Sequence, residues 1–267
     1  MADFPAPVSR LLTLGNPGPP GAEWLDYLAY GFTAEHVPDL MRLATDMGLN
    51  RADPESLEVW APLHAWRALG QLRAEAAVQP LLELLHALAE DHDDWAREEL
   101  PQVFARIGPS ALPALEAFVA DHSHGLYTRA AIAEGLQEMV RRHPETRDQC
   151  IGILTRQLER AEQNEPSLNG FIVSALLDLE AAEAAPVMER AFAVNAVDES
   201  IAGGWPEVAW ELGVSDTPPA PRRHVDPFPW MGPLADPVDQ RSRTAKAKAK
   251  ARRKQAKASR KRNRRRR

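Results

Sequence analysis

Apolar residues recur at helical spacing along most of the chain, from about Trp24 to Leu212, and no stretch alternates apolar and polar residues as a strand would. Turn residues such as Gly31, Asn50 and Gly108 interrupt this pattern at short intervals. The sequence therefore predicts an all-α fold. The predicted helices lie at about 23–30, 35–47, 56–70, 76–89, 94–107, 110–121, 126–142, 145–161, 167–179, 184–194 and 204–212.

Pairs of these helices repeat. Residues 65–70 (AWRALG) precede 77–82 (AVQPLL), and the same pattern recurs at 103–108 with 111–115 and at 175–179 with 184–188. The second helix of these units carries Pro80, Pro113 or Pro186 near its start, where a missing N–H costs no helical hydrogen bond. A repeat of two helices with a period of roughly 33–40 residues is typical of an α-solenoid.

Residues 68–82 contain Ala-Leu-Gly-x-Leu followed by Ala-x-x-Pro-Leu-Leu. This pattern resembles that of HEAT-type repeat proteins. The stretches at 23–50, 59–72 (VWAPLHAWRALGQL) and 167–179 (SLNGFIVSALLDL) look like a group of uncharacterised bacterial HEAT-like proteins. The resemblance covers residues 12–214 and implies an α-solenoid of antiparallel helix pairs. It carries over no catalytic residue. An irregular helical bundle is the alternative fold.

Charge is distributed very unevenly along the chain. Residues 241–267 hold ten arginines, all six lysines and no acidic residue, which gives a formal charge of +16. The first 240 residues hold the other 16 of the 32 basic residues and all 38 acidic ones, which gives −22. An acidic body joined to a polycationic arm indicates a protein that binds polyanions or acidic partners.

The polybasic arm is predicted to be disordered, because it has almost no apolar side chain larger than alanine. It lacks aromatic residues that could stack on unpaired bases, so phosphate groups of RNA or DNA are its expected target. The predicted phosphate contacts are Arg252, Arg253, Lys254, Lys257, Arg260, Lys261, Arg262, Arg264, Arg265, Arg266 and Arg267. A solubilising arm, or one that folds onto its own acidic body, is the alternative.

Four regions are predicted: an irregular lead-in (1–21), the helical repeat domain (22–214), a proline-rich linker (215–240) and the basic tail (241–267). The linker contains seven prolines and should be extended. Phe228, Trp230 and Met231 form an apolar cluster within it. They either pack onto the last helix pair or form a docking motif for another protein.

No catalytic, cofactor-binding or metal-ligating set is predicted. The first 240 residues lack lysine, which excludes a phosphate-loop or Schiff-base lysine there. Cys150 is the only cysteine and is expected to be buried in a helix. No run is long and apolar enough to span a membrane, and no secretory signal is evident, so a cytoplasmic protein is expected.

Several polar and aromatic residues have two interpretations each. His122 and His124 are interpreted as loop residues rather than metal ligands, and His64 as a partly buried, hydrogen-bonded residue rather than a catalyst. Glu98 and Glu99 are interpreted as a solvated helix face. The tryptophans are interpreted as packing and end-capping residues, in the pairs Trp60 with Trp66 and Trp205 with Trp210.

These observations leave three functional hypotheses. The first is a non-enzymatic scaffold whose helical body binds a protein and whose tail contacts nucleic acid or the ribosome. The second is a purely protein-binding scaffold with a solubilising or self-shielding tail. The third, implied by the HEAT resemblance, is an enzyme or enzyme accessory of the lyase or glycosylase type, although the acidic body lacks the cationic surface that a glycosylase needs to hold DNA.

Overall fold

The computed structural model describes residues 4–18, 22–89 and 94–219. Within these residues the chain forms α-helices joined by short 3₁₀ turns and loops, and no strand. The prediction of an all-α fold is confirmed. The helices are α1 (Val37–Ala44), α2 (Met47–Asn50), α3 (Ala61–Gln71), α4 (Val78–Leu88), α5 (Asp94–Ile107), α6 (Leu112–Ala120), α7 (Leu126–Arg142), α8 (Arg147–Leu158), α9 (Pro166–Asp178), α10 (Ala185–Ala193), α11 (Glu199–Ala202) and α12 (Trp205–Leu212).

The helices pack in two layers. In the first layer α1 packs on α3, α3 on α5, α5 on α7 and α7 on α9, and α11 and α12 then pack on α9. In the second layer α4 packs on α6, α6 on α8 and α8 on α10. Neighbours along the chain join the layers, as α6 does with α7 and α8 with α9. These packed helices all belong to one compact unit of the chain, Met1–Ser215.

Each second-layer helix begins in the same way. A 3₁₀ turn, at Glu75–Ala77, Pro109–Ala111, Pro144–Thr146 or Ala182–Ala184, leads directly into α4, α6, α8 or α10. Pro113 and Pro186 occupy the first two positions of α6 and α10, where proline removes no helical hydrogen bond. The predicted placement of these prolines is confirmed.

Small and branched apolar side chains fill the space between the layers. Leu85, Phe104, Leu136, Leu154 and Leu176 come from α4, α5, α7, α8 and α9 and are all fully buried. Cys150 lies in the same core, as predicted, and burial raises the pKa of its thiol. Full burial of one such leucine is worth roughly 1.5–3 kcal/mol, so this continuous core stabilises the stacked helices together.

The N-terminal segment is more ordered than the lead-in that the sequence predicts. Val8–Thr13 forms a 3₁₀ helix, and Val8 and Leu11 are fully buried. The segment therefore contributes two residues, Val8 and Leu11, to the core despite its proline- and glycine-rich composition. A core position needs only one apolar side chain at the right place, which a short turn supplies as well as a regular helix does.

The predicted helix at 23–30 is wrong over most of its length, because only Leu28–Tyr30 forms a 3₁₀ turn. The side chain of Gln71 forms hydrogen bonds with backbone groups that would pair with each other in a helix. Its Oε1 accepts a hydrogen bond from the Tyr27 N–H at 2.9 Å, and its Nε2 donates to the Leu25 carbonyl at 2.8 Å. The segment thus gives up local hydrogen bonds to insert Trp24 and Tyr27 into the core.

Candidate interaction surface

A groove of about 360 Å³ lies between α5 and α7 on the first layer. Its lining combines apolar or small residues, called the floor below, with longer and mainly acidic residues, called the rim. The lining residues are Arg97, Glu98, Pro101, Gln102, Ala131, Glu134, Gly135 and Glu138.

Pro101 and Gly135 set the depth of this groove. Pro101 lies inside α5, and a Cβ added to Gly135 would lie only 2.7 Å from the Pro101 Cβ. Real Cβ atoms do not approach that closely, so glycine is what permits the two helices to pack together at this point. The close approach leaves the longer side chains of both helices to form the rim.

Carboxylates dominate the electrostatics of the rim. The pKa of Glu134 is raised, first by loss of water around its carboxyl group and then by the negative charge of Asp178 on α9. Glu138 is compensated: it pairs with Arg142 at 2.6 Å and also with Arg141. An incoming cationic side chain would relieve the repulsion between Glu134 and Asp178.

A second groove, of about 340 Å³, lies on the other layer between α8 and the turn that precedes α10. Ion pairs hold both of its sides. The guanidinium of Arg147 contacts the Glu183 carboxylate at 2.6 Å and lowers its pKa, while Arg156 contacts Glu116 of α6 at 2.7 Å. The lining residues are Asp148, Ile151, Gly152, Thr155, Arg156, Glu183 and Ala184. Both grooves are suited to single side chains of a protein partner.

The sequence-predicted phosphate contacts, Arg252 to Arg267, all lie outside the residues that the structure describes, and so do Phe228, Trp230 and Met231. Their roles stay predictions. The two grooves were not predicted, because residues of opposite walls, such as Glu98 and Glu134, are 36 positions apart in the sequence. The only sequence signal that links the two walls is the repeat period of roughly 33–40 residues, which is close to this spacing.

A buried polar network lies near the N-terminal end of the helical unit. His64 is 1% exposed, and its Nε2 lies 2.8 Å from the Gly15 carbonyl, so this nitrogen carries the proton. The hydroxyl of Tyr27 then donates to Nδ1 over 2.6 Å. Burial lowers the pKa of His64 and raises that of Tyr27. The interpretation of His64 as a satisfied histidine is confirmed, with deeper burial than predicted.

Next to it, Arg67 and Glu99 form an ion pair in which both side chains are 0% exposed. Arg67 donates from Nε to Oε2 at 3.0 Å and from Nη2 to Oε1 at 2.5 Å, and a further bond reaches the Pro17 carbonyl at 3.3 Å. The prediction that Glu99 lies on a solvated face is wrong. The network fastens residues 15–17 and α5 to α3, which is a structural role.

A second buried arginine, Arg129 on α7, bonds mainly to uncharged groups, and its Nη1 also contacts the half-exposed carboxylate of Glu165 at 3.4 Å. Its Nε donates to the Val119 carbonyl at 2.9 Å and its Nη2 to Oδ1 of Asn164 at 3.1 Å. Asn164 in turn donates to Asn169, whose amide donates to the carbonyls of Ala161 and Ala196. These bonds satisfy carbonyl groups of the turn before α9 and of the loop after α10.

Three of the four tryptophans singled out in the sequence pack against other helices. Trp60 packs edge-to-face on Trp95 of α5, with ring centres 5.1 Å apart. The indole N–H of Trp66 donates to the Ala44 carbonyl of α1 at 3.0 Å. Trp205 contacts Phe192, with ring centres 6.0 Å apart. The packing role is confirmed for these three residues.

The loop between α6 and α7 contains His122 and His124, as predicted. The structure brings His124 to His86 of α4, with the two Nδ1 atoms 3.0 Å apart. Among the described residues no group of three or more His, Cys, Asp and Glu side chains is arranged to hold a metal ion. The His86–His124 contact was missed because the two residues are 38 positions apart.

Comparison with known proteins identifies no relative, since no family, curated protein or solved structure matches the chain. The HEAT resemblance therefore stays a prediction. Over the described residues no single helix is long and apolar enough to cross a membrane; α5 and α6 reach that length and hydropathy only as a pair bent by 114°.

Proposed function

We propose that the protein is a non-enzymatic interaction scaffold of the cytoplasm. Its helical body, a HEAT-like α-solenoid, binds a protein partner, and its polybasic tail contacts nucleic acid, including structured RNA such as that of the ribosome. The observation that carries this proposal is the separation of charge, −22 on the first 240 residues and +16 on the last 27.

Two features of the structure support a solenoid body. Successive helices of each layer pack on one another in chain order, and each second-layer helix starts from the same kind of 3₁₀ turn. Repeated helix pairs stacked on their sequence neighbours are the defining pattern of α-solenoids. Such arrays present extended surfaces, which suit protein binding better than a single enclosed pocket does.

The partner surface is expected to be basic. The groove between α5 and α7 places Glu98 and Glu134 beside a floor of Pro101 and Gly135, whereas the charge of Glu138 is already compensated by Arg141 and Arg142. An arginine or lysine side chain could lay its aliphatic part on that floor and its charge against the rim. The net charge of −22 on the first 240 residues would repel a nucleic acid, so the tail has to supply that contact.

The tail is tested by measuring RNA binding of the full chain and of residues 1–240 at graded salt. Counterion release predicts that the logarithm of the full chain's affinity falls steeply with the logarithm of salt concentration, whereas residues 1–240 should bind RNA only marginally. A length-matched variant with Arg264, Arg265, Arg266 and Arg267 changed to glutamine should show an intermediate slope. Equal RNA retention by the full chain and residues 1–240 would exclude the proposed role of the tail.

The opposite charges of body and tail also favour a second function, a protein-binding scaffold whose tail is solubilising or self-shielding. Affinity purification of the full chain from lysate with and without nuclease separates the two. Loss of most partners after nuclease treatment supports the nucleic-acid function, whereas an unchanged set of partners supports the scaffold alone. Alanine at Phe228, Trp230 and Met231 tests the docking motif in the same assay.

A further inference from the structure

His86 of α4 and His124 of the α6–α7 loop face each other in an unusual arrangement. Their Nδ1 atoms lie 3.0 Å apart, their ring centres lie 4.7 Å apart and their planes are inclined by 71°. The two rings belong to consecutive helix pairs, and nothing in the fold described above requires them to meet through the same type of nitrogen.

As it stands, the contact is a hydrogen bond between the two Nδ1 atoms, and its distances are also those of two ligands of one ion. Two imidazoles bound through Nδ1 to one ion at ~2.05 Å, with an angle of about 94° at the ion, would have nitrogens ~3.0 Å and centres ~4.7 Å apart. The fold therefore already holds the two Nδ1 atoms at the separation that two neighbouring ligands of one ion require.

The surroundings of His124 suit a metal ligand. Its ring is stacked on Phe118, with centres 3.7 Å apart and planes inclined by 9°, which fixes its orientation. Its other nitrogen, Nε2, lies 3.8 Å from the carboxylate of Asp121. A metal-bound histidine commonly turns its second nitrogen toward a carboxylate, which holds the tautomer that leaves Nδ1 free to bind. His86 is exposed, so an ion can reach the pair from solvent.

We propose that His86 and His124 bind one divalent transition-metal ion through their Nδ1 atoms, with water in the remaining coordination positions. The angle near 90° is that of neighbouring ligands in square-planar or octahedral complexes, so Cu²⁺ or Ni²⁺ fits better than tetrahedral Zn²⁺.

The test is a calorimetric titration of the full chain with Ni²⁺ at neutral pH, repeated on variants. His86→Gln and His124→Gln should each weaken Ni²⁺ binding at least ~10-fold, and Asp121→Asn should weaken it about tenfold by loosening the orientation of His124. His122→Gln, in the same loop but outside the pair, is the matched control and should titrate like the unaltered chain.

Two further readouts make the result decisive. The Cu²⁺ complex should show nitrogen hyperfine coupling from two imidazoles by electron paramagnetic resonance, and from one in His86→Gln. Far-ultraviolet circular dichroism checks folding, and His86→Gln decides the matter if His124→Gln does not fold, because His86 is exposed. Ni²⁺ binding that is unchanged in His86→Gln, or lost equally in His122→Gln, would overturn the proposal.

Discussion

Replacing Glu99 by glutamine should destabilise the protein more than any exposed charge substitution. The change keeps the shape of the side chain but removes the only acidic partner that the structure shows for the buried Arg67 guanidinium. Glutamine offers one acceptor oxygen, and its NH₂ group would face a guanidinium that can only donate.

The expected cost follows from the geometry. Glu99 accepts two charge-assisted hydrogen bonds, at 3.0 and 2.5 Å, and each such bond contributes about 1.5–3 kcal/mol. Removing one member of a buried ion pair costs about 3–5 kcal/mol in total, because the other charge stays desolvated. For a domain of this size that corresponds to a fall in Tm of about 6–20 °C.

Urea unfolding followed by circular dichroism measures the change in the free energy of unfolding. Asp39→Asn is the surface control, because the side chains of Arg42 and Asp39 are 50% and 36% exposed and their pair should contribute less than about 1 kcal/mol. Arg67→Met combined with Glu99→Leu should recover much of the loss. A loss below about 1 kcal/mol in Glu99→Gln would refute the view that this pair is desolvated.

Three other changes test the packing and the buried polar groups. Gly135→Ala should cost about 1–3 kcal/mol in urea unfolding, because its new Cβ would lie 2.7 Å from the Pro101 Cβ. Burial lowers the pKa of His64 below 6.5 in the folded protein. As the pH falls, His64 is therefore protonated in the unfolded chain before it is protonated in the folded one. The free energy of unfolding should therefore fall as pH drops below about 6.5, by up to about 1.4 kcal/mol per pH unit. Asn169→Ala should cost about 2–4 kcal/mol in urea unfolding, because the Ala196 carbonyl loses its donor, the Ala161 carbonyl keeps only the Asn164 N–H, and the side chain of Asn164 loses its acceptor.

Each of these has a control. Gly152→Ala should cost less than Gly135→Ala, since its new Cβ meets the end of the half-exposed Arg156 side chain at 3.1 Å rather than a backbone-bound ring, and alanine favours a helix. His64→Gln should flatten the pH dependence below 6.5, and a slope that persists would assign it to other groups. Asn16→Ala, which removes one exposed local bond, should cost far less than Asn169→Ala.

Helix boundaries were predicted best where the signal is local. The predicted limits 94–107 and 126–142 agree with α5 and α7, because both helices have regular apolar spacing and start and stop near glycine, proline or a charged turn. The segment around Tyr27 failed because the deciding partner, Gln71, is 44 residues away. Periodicity carries no information about such long-range hydrogen bonds.

The burial of charged residues also could not be predicted from the sequence pattern. Arg67, Glu99 and Arg129 have ordinary helical contexts, and the default expectation for charged side chains is exposure. Their partners come from other helices or from distant turns. In the candidate surface, the acidic character followed from composition, whereas the groove depended on the unpredicted contact of Pro101 with Gly135.

The two buried arginines have a consequence for how the helices align along their length. Arg67 joins α3 to α5, and Arg129 joins α7 to the turn before α9. Sliding either helix by one turn, about 5.4 Å, would carry the guanidinium away from its acceptors into apolar surroundings. Leucine and alanine contacts tolerate such a slip. Arg67 and Arg129 therefore give the observed alignment of the helices a lower free energy than a shifted one.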